Sequence, residues 1–277
     1  MKHASRIYLC IVFAVLYIPI LTLMLFSFNN SESTANFTGF SFEWNIKLFS
    51  DETAFLALRN TLILAVSSSL LSTLIGTAAA EGIYRMRSKW MKAAVNSVTN
   101  VPMMNPDIVT GVSFMLFFAA VVGLLNIEDY DSIGFAAMLI AHTTFCLPYV
   151  ILSVLPRINE LGDTLTEAAL DLGCTPVQAF FKVELPQLMP GIITGLIMAF
   201  TMSFDDFVIS YFTCGHYQTL PIVIYNMTKK SVTPDTYALS TLIFIAIFAL
   251  LIFYNMLQTK AEKKSAAAIK RFKGAAK

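Results

Sequence analysis

Two adjacent carboxylates interrupt an apolar run, Phe204-Asp205-Asp206-Phe207, with no Lys or Arg nearby in sequence. An ionised carboxylate at the bilayer centre costs ~2.5–3.5 kcal/mol on insertion scales, so an acidic pair inside a membrane segment needs a physical reason. At ~100° per residue of α-helix, Gly195, Ala199, Ser203, Asp206 and Ser210 share one small, polar stripe. Phe200, Phe204, Phe207 and Tyr211 form a second, aromatic stripe, read as packing or lipid contact before a substrate box. Asp205 falls with Thr201, Val208 and Phe212. This pattern puts Asp206 on a lumen or inter-subunit face, with Asp205 second. A third acid, Asp107, follows Pro102 and Pro106, and two readings stand for it. It caps the apolar helix that follows, or it lines a pathway where broken backbone is tolerated. His142 reads first as an interhelical hydrogen-bonding group and second as a relay. Acids along a route favour a cation, because a carboxylate replaces water around an ammonium through charge-assisted hydrogen bonds. An oxyanion would instead want Arg, Lys or helix N-termini.

The elements that must carry these groups are membrane helices. Of 277 residues, 56% are hydrophobic and only 13% charged, about half the charged share of a soluble domain. A bilayer core of ~30 Å needs about 20 apolar residues in a helix. Residues 7–28, 61–80, 108–125, 133–156, 188–204 and 238–257 contain no charged side chain. With their flanks they predict an all-α, polytopic chain of six transmembrane helices, at about 7–28, 58–80, 98–125, 133–156, 188–212 and 238–258. The first run exceeds a signal-peptide core and lacks a small-x-small cleavage site, so it reads as an uncleaved anchor. Of 19 Lys and Arg, all but Lys47, Arg59, Lys229 and Lys230 fall on one side if both termini are cytoplasmic, including the basic tail at 259–277. The expected location is the cell inner membrane, with lipid as a partner.

Composition also excludes. A net charge of +1 gives no reason to expect a nucleic-acid partner. Four scattered cysteines and three scattered histidines offer neither a disulfide framework nor a metal site. No Gly-x-x-x-x-Gly-Lys-Ser/Thr phosphate loop is present, so this chain holds no ATP by that route. No nucleophile–base pair or zinc-type His/Glu motif marks an enzyme.

Between the fourth and fifth spans, residues 157–187 form a cytoplasmic loop too long for a connector. Thr164 with Glu167 suggests a capping box, and Gly173 a turn that ends the short helix. Thr175, Pro176 and Gln178 suggest a second box with proline at the first helical position. Phe180, Phe181 and Val183 give the second helix an apolar surface, suited either to a partner's groove or to the membrane and the protein's own bundle. Pro186 and Pro190 stand where the next membrane helix begins.

Glu167-Ala168-Ala169, three residues, Gly173, nine residues, Val183, one residue, and Leu185-Pro186 resemble the EAA loop of binding-protein-dependent ABC importer permeases, with Val for the family's Ile. The resemblance implies that residues 1–277 form a single permease domain of the type I importer architecture. It also implies that the helix from Thr175, through Phe180 to Val183, is the coupling helix seated in a cleft of the ATPase. Asn105-Pro106-Asp107-Ile108-Val109, Thr144-Phe145-Cys146-Leu147-Pro148 and Phe200 to Asp206 are similar to the C-type subunit of the polyamine (spermidine/putrescine) branch, in which Ser is expected for Asn105. The implied partners are a second homologous permease, a cytoplasmic ATPase dimer that holds the Mg–ATP, and an extracytoplasmic substrate-binding protein. Against polyamine import stand an importer of the same type for thiamine, ferric iron or an oxyanion, and a self-contained channel or secondary transporter.

Overall fold

The computed structural model describes residues 2–31, 36–49, 52–125, 134–230, 236–245, 248–249 and 252. The described residues are almost entirely helical: α1 (Lys2–Phe26), α2 (Glu43–Phe49), α3 (Glu52–Arg85), α4 (Lys89–Met104), α5 (Asp107–Leu125), α6 (Gly134–Leu161), α7 (Thr164–Asp171), α8 (Pro176–Ala179), α9 (Leu185–Asp205), α10 (Val208–Thr213) and α11 (Leu220–Lys230), then α12 (Thr236–Ile245). A π turn, Phe180–Glu184, joins α8 to α9. Among the described residues, five helical stretches are long and apolar enough to cross a membrane. The sixth expected span, 238–258, opens with α12, and most of its second half lies outside the described residues, as does the basic tail at 259–277.

The chain forms two compact units, residues 1–57 with 223–277, and residues 58–222. In the first, α1 is apolar on every side and has no buried residue in its membrane window, so its apolar surface has to be covered by lipid or a partner. Its C-terminal end is closed by Asn29. The Asn29 amide donates to the Asn36 carbonyl at 2.8 Å and accepts from the Thr38 amide at 2.9 Å. The Trp44 indole of α2 donates to the Asn29 carbonyl at 2.9 Å.

In the second unit, α3 and α9 both press on α6 at Val150. A Cβ built on Gly76 would stand 2.7 Å from Val150 Cγ1, and one on Gly195 only 3.2 Å from Val150 Cα. Small residues are needed at such crossings because membrane helices associate by close van der Waals packing, with no water to expel. Farther down the same stripe, Gly191 lies against the Ser153 carbonyl and the Arg157 side chain. Gly191, Gly195, Ala199 and Ser203 are therefore buried within this chain. The stripe expected to face a lumen or a partner subunit packs instead against α6, because that is where backbone approach demands the smallest residues.

Two expected spans are broken. Residues 98–125 divide into α4 and α5 at Asn105-Pro106. Proline has no amide to continue the ladder and forces the preceding residue out of the helical region, and Asn105 has φ −77° and ψ 142°. Residues 188–212 divide into α9 and α10 at Asp206. Replacing Gly195 by Leu should destabilise the second unit by about 1–3 kcal/mol through overpacking. Thermal unfolding in detergent measures this, and Gly82→Leu, where a Cβ meets nothing within 4 Å, is the control.

Candidate functional site

The break in the fifth span is made by an aspartate that takes over the work of the helix ladder. Asp206 is extended, with φ −65° and ψ 123°. Its carboxylate accepts the Ser210 amide at 2.8 Å and the Ile209 amide at 3.4 Å, which start α10. A short acidic side chain satisfies the orphan amides of a new helix and so competes with continuation of the old one.

Behind this break lies a polar chain buried among apolar helices. His142 of α6 has no exposed surface. Its Nδ1 lies 2.8 Å from Ser203 Oγ on α9, and its Nε2 lies 3.0 Å from Ser210 Oγ on α10. The Ser68 hydroxyl of α3 donates to Ser203 Oγ at 2.8 Å. The Ser210 hydroxyl bonds the Asp206 carboxylate, whose Oδ2 also stands 3.5 Å from His142 Nε2. One assignment satisfies every group. Ser68 donates to Ser203, Ser203 to His142 Nδ1, His142 Nε2–H to Ser210, and Ser210 to the carboxylate. The imidazole is then neutral with its proton on Nε2, a tautomer fixed by its neighbours. His142 is an interhelical hydrogen-bonding group, and it joins both halves of the broken helix.

The three acids differ in setting. Asp206 is only 7% exposed, whereas Asp205 and Asp107 are exposed. Asp107 opens α5, and the Val109 amide bonds the Pro106 carbonyl at 2.9 Å. One turn on, Gly111 fits against α10, where a Cβ would meet Phe212 at 2.8 Å and the Val208 carbonyl at 3.3 Å. This crossing brings Asp107 within electrostatic range of Asp206 and of the Tyr149 hydroxyl. The aromatic residues pair along their own helices: Phe200 stacks on Phe204 at 5.7 Å, and Phe207 meets Tyr211 at 5.4 Å.

In the 157–187 loop, the expected box of Thr164 and Glu167 does not form. Thr164 already lies inside α7, and the preceding Asp163 makes no side-chain cap, because its carboxylate accepts the Tyr84 hydroxyl at 3.0 Å. Glu167 and Ala168 are exposed and Ala169 is buried. Gly173 has φ +87°, and the Cys174 amide returns to the Ala169 carbonyl at 3.1 Å; a left-handed residue at that position suits glycine. The second box is present. Gln178 N donates to Thr175 Oγ1 at 3.3 Å and Thr175 N to Gln178 Oε1 at 3.2 Å, with Pro176 opening the helix. In the π turn the Leu185 amide reaches the Phe180 carbonyl. The wider turn makes room for Pro186, which offers no amide. Phe180 is half-buried. The most exposed large apolar side chains of the loop are Leu172, 87% exposed, Val177, 66%, and Phe181, 60%.

The family model described as "Binding-protein-dependent transport system inner membrane component" matches residues 72–265. The chain belongs to that family. Among curated relatives it is 36% identical over 254 residues to the spermidine/putrescine transport system permease protein PotC of Haemophilus influenzae, covering 91% of this chain and 95% of that one. It is 34% identical over 260 residues to the putrescine transport system permease protein PotI of Escherichia coli, covering 94% and 92%. Among solved structures it resembles a bacterial ABC transporter that imports the polysaccharide alginate, with TM-score 0.72, 19% identity, and coverage of 94% of this chain and 95% of that one. It also resembles the MetNI methionine ABC transporter, with TM-score 0.55, 22% identity, and coverage of 74% and 95%. These two likenesses speak for the fold.

The chain is an inner-membrane transport component and not an enzyme, and the candidate site of this permease is the broken helix with the acids around it. Sequence reading missed Ser68, whose only signal is a serine cluster in mid-span, and the free apolar residues Leu172 and Val177. Removing the imidazole by His142→Ala would take the acceptor from the Ser203 hydroxyl and the donor from the Ser210 oxygen. Each buried group left without a partner costs about 1–3 kcal/mol, so the variant should unfold at markedly lower temperature in detergent. His142→Gln, which keeps a donor and an acceptor, should recover part of that loss.

Proposed function

We propose that this permease is one half of the transmembrane channel of an ATP-driven importer that carries polyamines, spermidine or putrescine, into the cytoplasm. The observation that carries the reading is similarity over more than nine-tenths of both chains to permeases named for these substrates. The geometry agrees with it. Asp205 and Asp107 present exposed carboxylates beside a helix break whose own carboxylate, Asp206, is held by backbone amides. Exposed carboxylates accept charge-assisted hydrogen bonds from ammonium groups. Asp205 and Asp107 meet the cation, and Asp206 keeps the break in place.

The chain acts as a single permease domain with both termini in the cytoplasm. It pairs with a second, homologous permease and receives substrate from an extracytoplasmic binding protein. A cytoplasmic ATPase dimer holds the Mg–ATP; this chain binds no cofactor. The helix from Thr175 inserts Val177 and Phe181 into the ATPase, flanked by Leu172, while Glu167, Ala168, Ala169 and Gly173 set the angle of presentation and Leu185-Pro186 passes the movement into α9.

Uptake of labelled spermidine by cells that depend on this importer tests the substrate. Asp205→Asn should lower uptake about 10-fold or more, the scale of one lost charged hydrogen bond. Unlabelled polyamines should compete. Undiminished uptake in the variant and no competition would rule the substrate out. For coupling, Gly173→Val forces a β-branched residue to φ +87°, a strain of about 1–3 kcal/mol. That variant should assemble and hydrolyse ATP with little transport, and normal uptake would count against the coupling role of the loop.

A further inference from the structure

The cytoplasmic end of α3 meets the coupling segment at one guanidinium. The carboxylates of Glu81 and Glu184 are only 15% and 13% exposed, and Arg85 serves both. Arg85 Nε donates to Glu81, and its Nη2 donates to the two Glu184 oxygens at 3.2 and 3.3 Å. The Thr166 hydroxyl of α7 also donates to Glu184. Two little-exposed carboxylates sharing one site repel each other unless a cation stands between them. Glu184 is the last residue of the π turn, at the point where α8 passes into α9.

We propose that Arg85 and Glu184 are a positioning pair that carries movement of the coupling segment into α3 as well as α9. The inference rests on the reading of residues 157–187 as the ATPase-coupling loop. The segment Pro176–Asp205 is one unbroken rod, so a displacement of α8 reaches Asp206 along α9 without help. Helix α3 is not part of that rod, yet it supplies Ser68 to the buried chain at Ser203. The two helices are therefore tied twice, by Ser68–Ser203 at membrane depth and by Arg85–Glu184 at the cytoplasmic end. The intervening lengths nearly match, about 25 Å of α3 and about 28 Å of α9 at ~1.5 Å per residue. With both ties intact, a push on the coupling segment moves α3 and α9 together and leaves the hydrogen bond to Ser203 unbroken. Without the cytoplasmic tie, α9 moves alone and the push is lost as sliding between helices.

The test is the ratio of substrate taken up to ATP hydrolysed, measured in proteoliposomes holding the importer with all its partner subunits. E184Q and R85A should lower this ratio about fivefold or more, the lower end of usual coupling strengths, while hydrolysis changes little. The exchange R85E/E184R, which again sets one guanidinium between two carboxylates, should recover it. T166V, which removes one hydroxyl and no charge, should show a smaller loss and serves if the charge variants fail to assemble. An unchanged ratio in assembled E184Q or T166V, or an exchange no better than its single variants, overturns the proposal. The variant L172S/V177S/F181S tests the underlying reading separately, because normal uptake and hydrolysis there would remove the coupling loop itself.

Discussion

In the hydrocarbon core of a bilayer no water is at hand for a polar group, so each must find its partner inside the protein. His142 is where this chain meets that demand. Its two ring nitrogens reach Ser203 before the break in the fifth span and Ser210 after it, and Ser68 extends the chain to α3. Satisfied throughout, such a chain rigidifies; with a member removed it becomes a cluster of stranded dipoles. The helix break depends on it, because the Asp206 carboxylate that replaces the ladder is bonded through Ser210 to the same imidazole. The acidic pair is thus divided by burial: Asp206 holds structure together, and Asp205 faces outward.

The same logic, with water available, governs the segment between α6 and α9. The loop at 157–187 is held by local devices: a proline-led capping box, a glycine at φ +87° and a π turn that accommodates Pro186. These leave Val177 and Phe181 uncovered on a short element that runs without interruption into the membrane, and Leu172 uncovered just before the Gly173 turn. A segment of this kind passes on a push, because it has few soft torsions in which to absorb one.

Much of this was legible in the sequence. The spans follow from charge-free runs of adequate length. The Thr175-Pro176-Gln178 start and the Gly173 turn follow from local rules and are present as read. What escaped depends on contacts distant in sequence. The Thr164–Glu167 box looked equally good, yet Asp163 is engaged by Tyr84 across the fold and the helix begins around it. The small stripe of the fifth span was correctly grouped but aimed at a lumen or a partner subunit, since a wheel gives the angle between residues and not the neighbour each one meets. Gly191 and Gly195 turn it toward α6. The broken backbone at Pro106 was read from its missing amide, whereas the break at Asp206 had a visible cause, a carboxylate, that apolar length masked.

As proposed, this permease conducts a polyamine only when driven by a partner ATPase. Uptake of labelled spermidine into proteoliposomes, compared for the assembled importer with its binding protein and for this chain alone, tests it most directly. The expected result is ATP-dependent accumulation by the assembly and none by the chain alone. Spermidine flux through the isolated chain, or an active assembly that hydrolyses ATP yet accumulates no spermidine or putrescine, would contradict it.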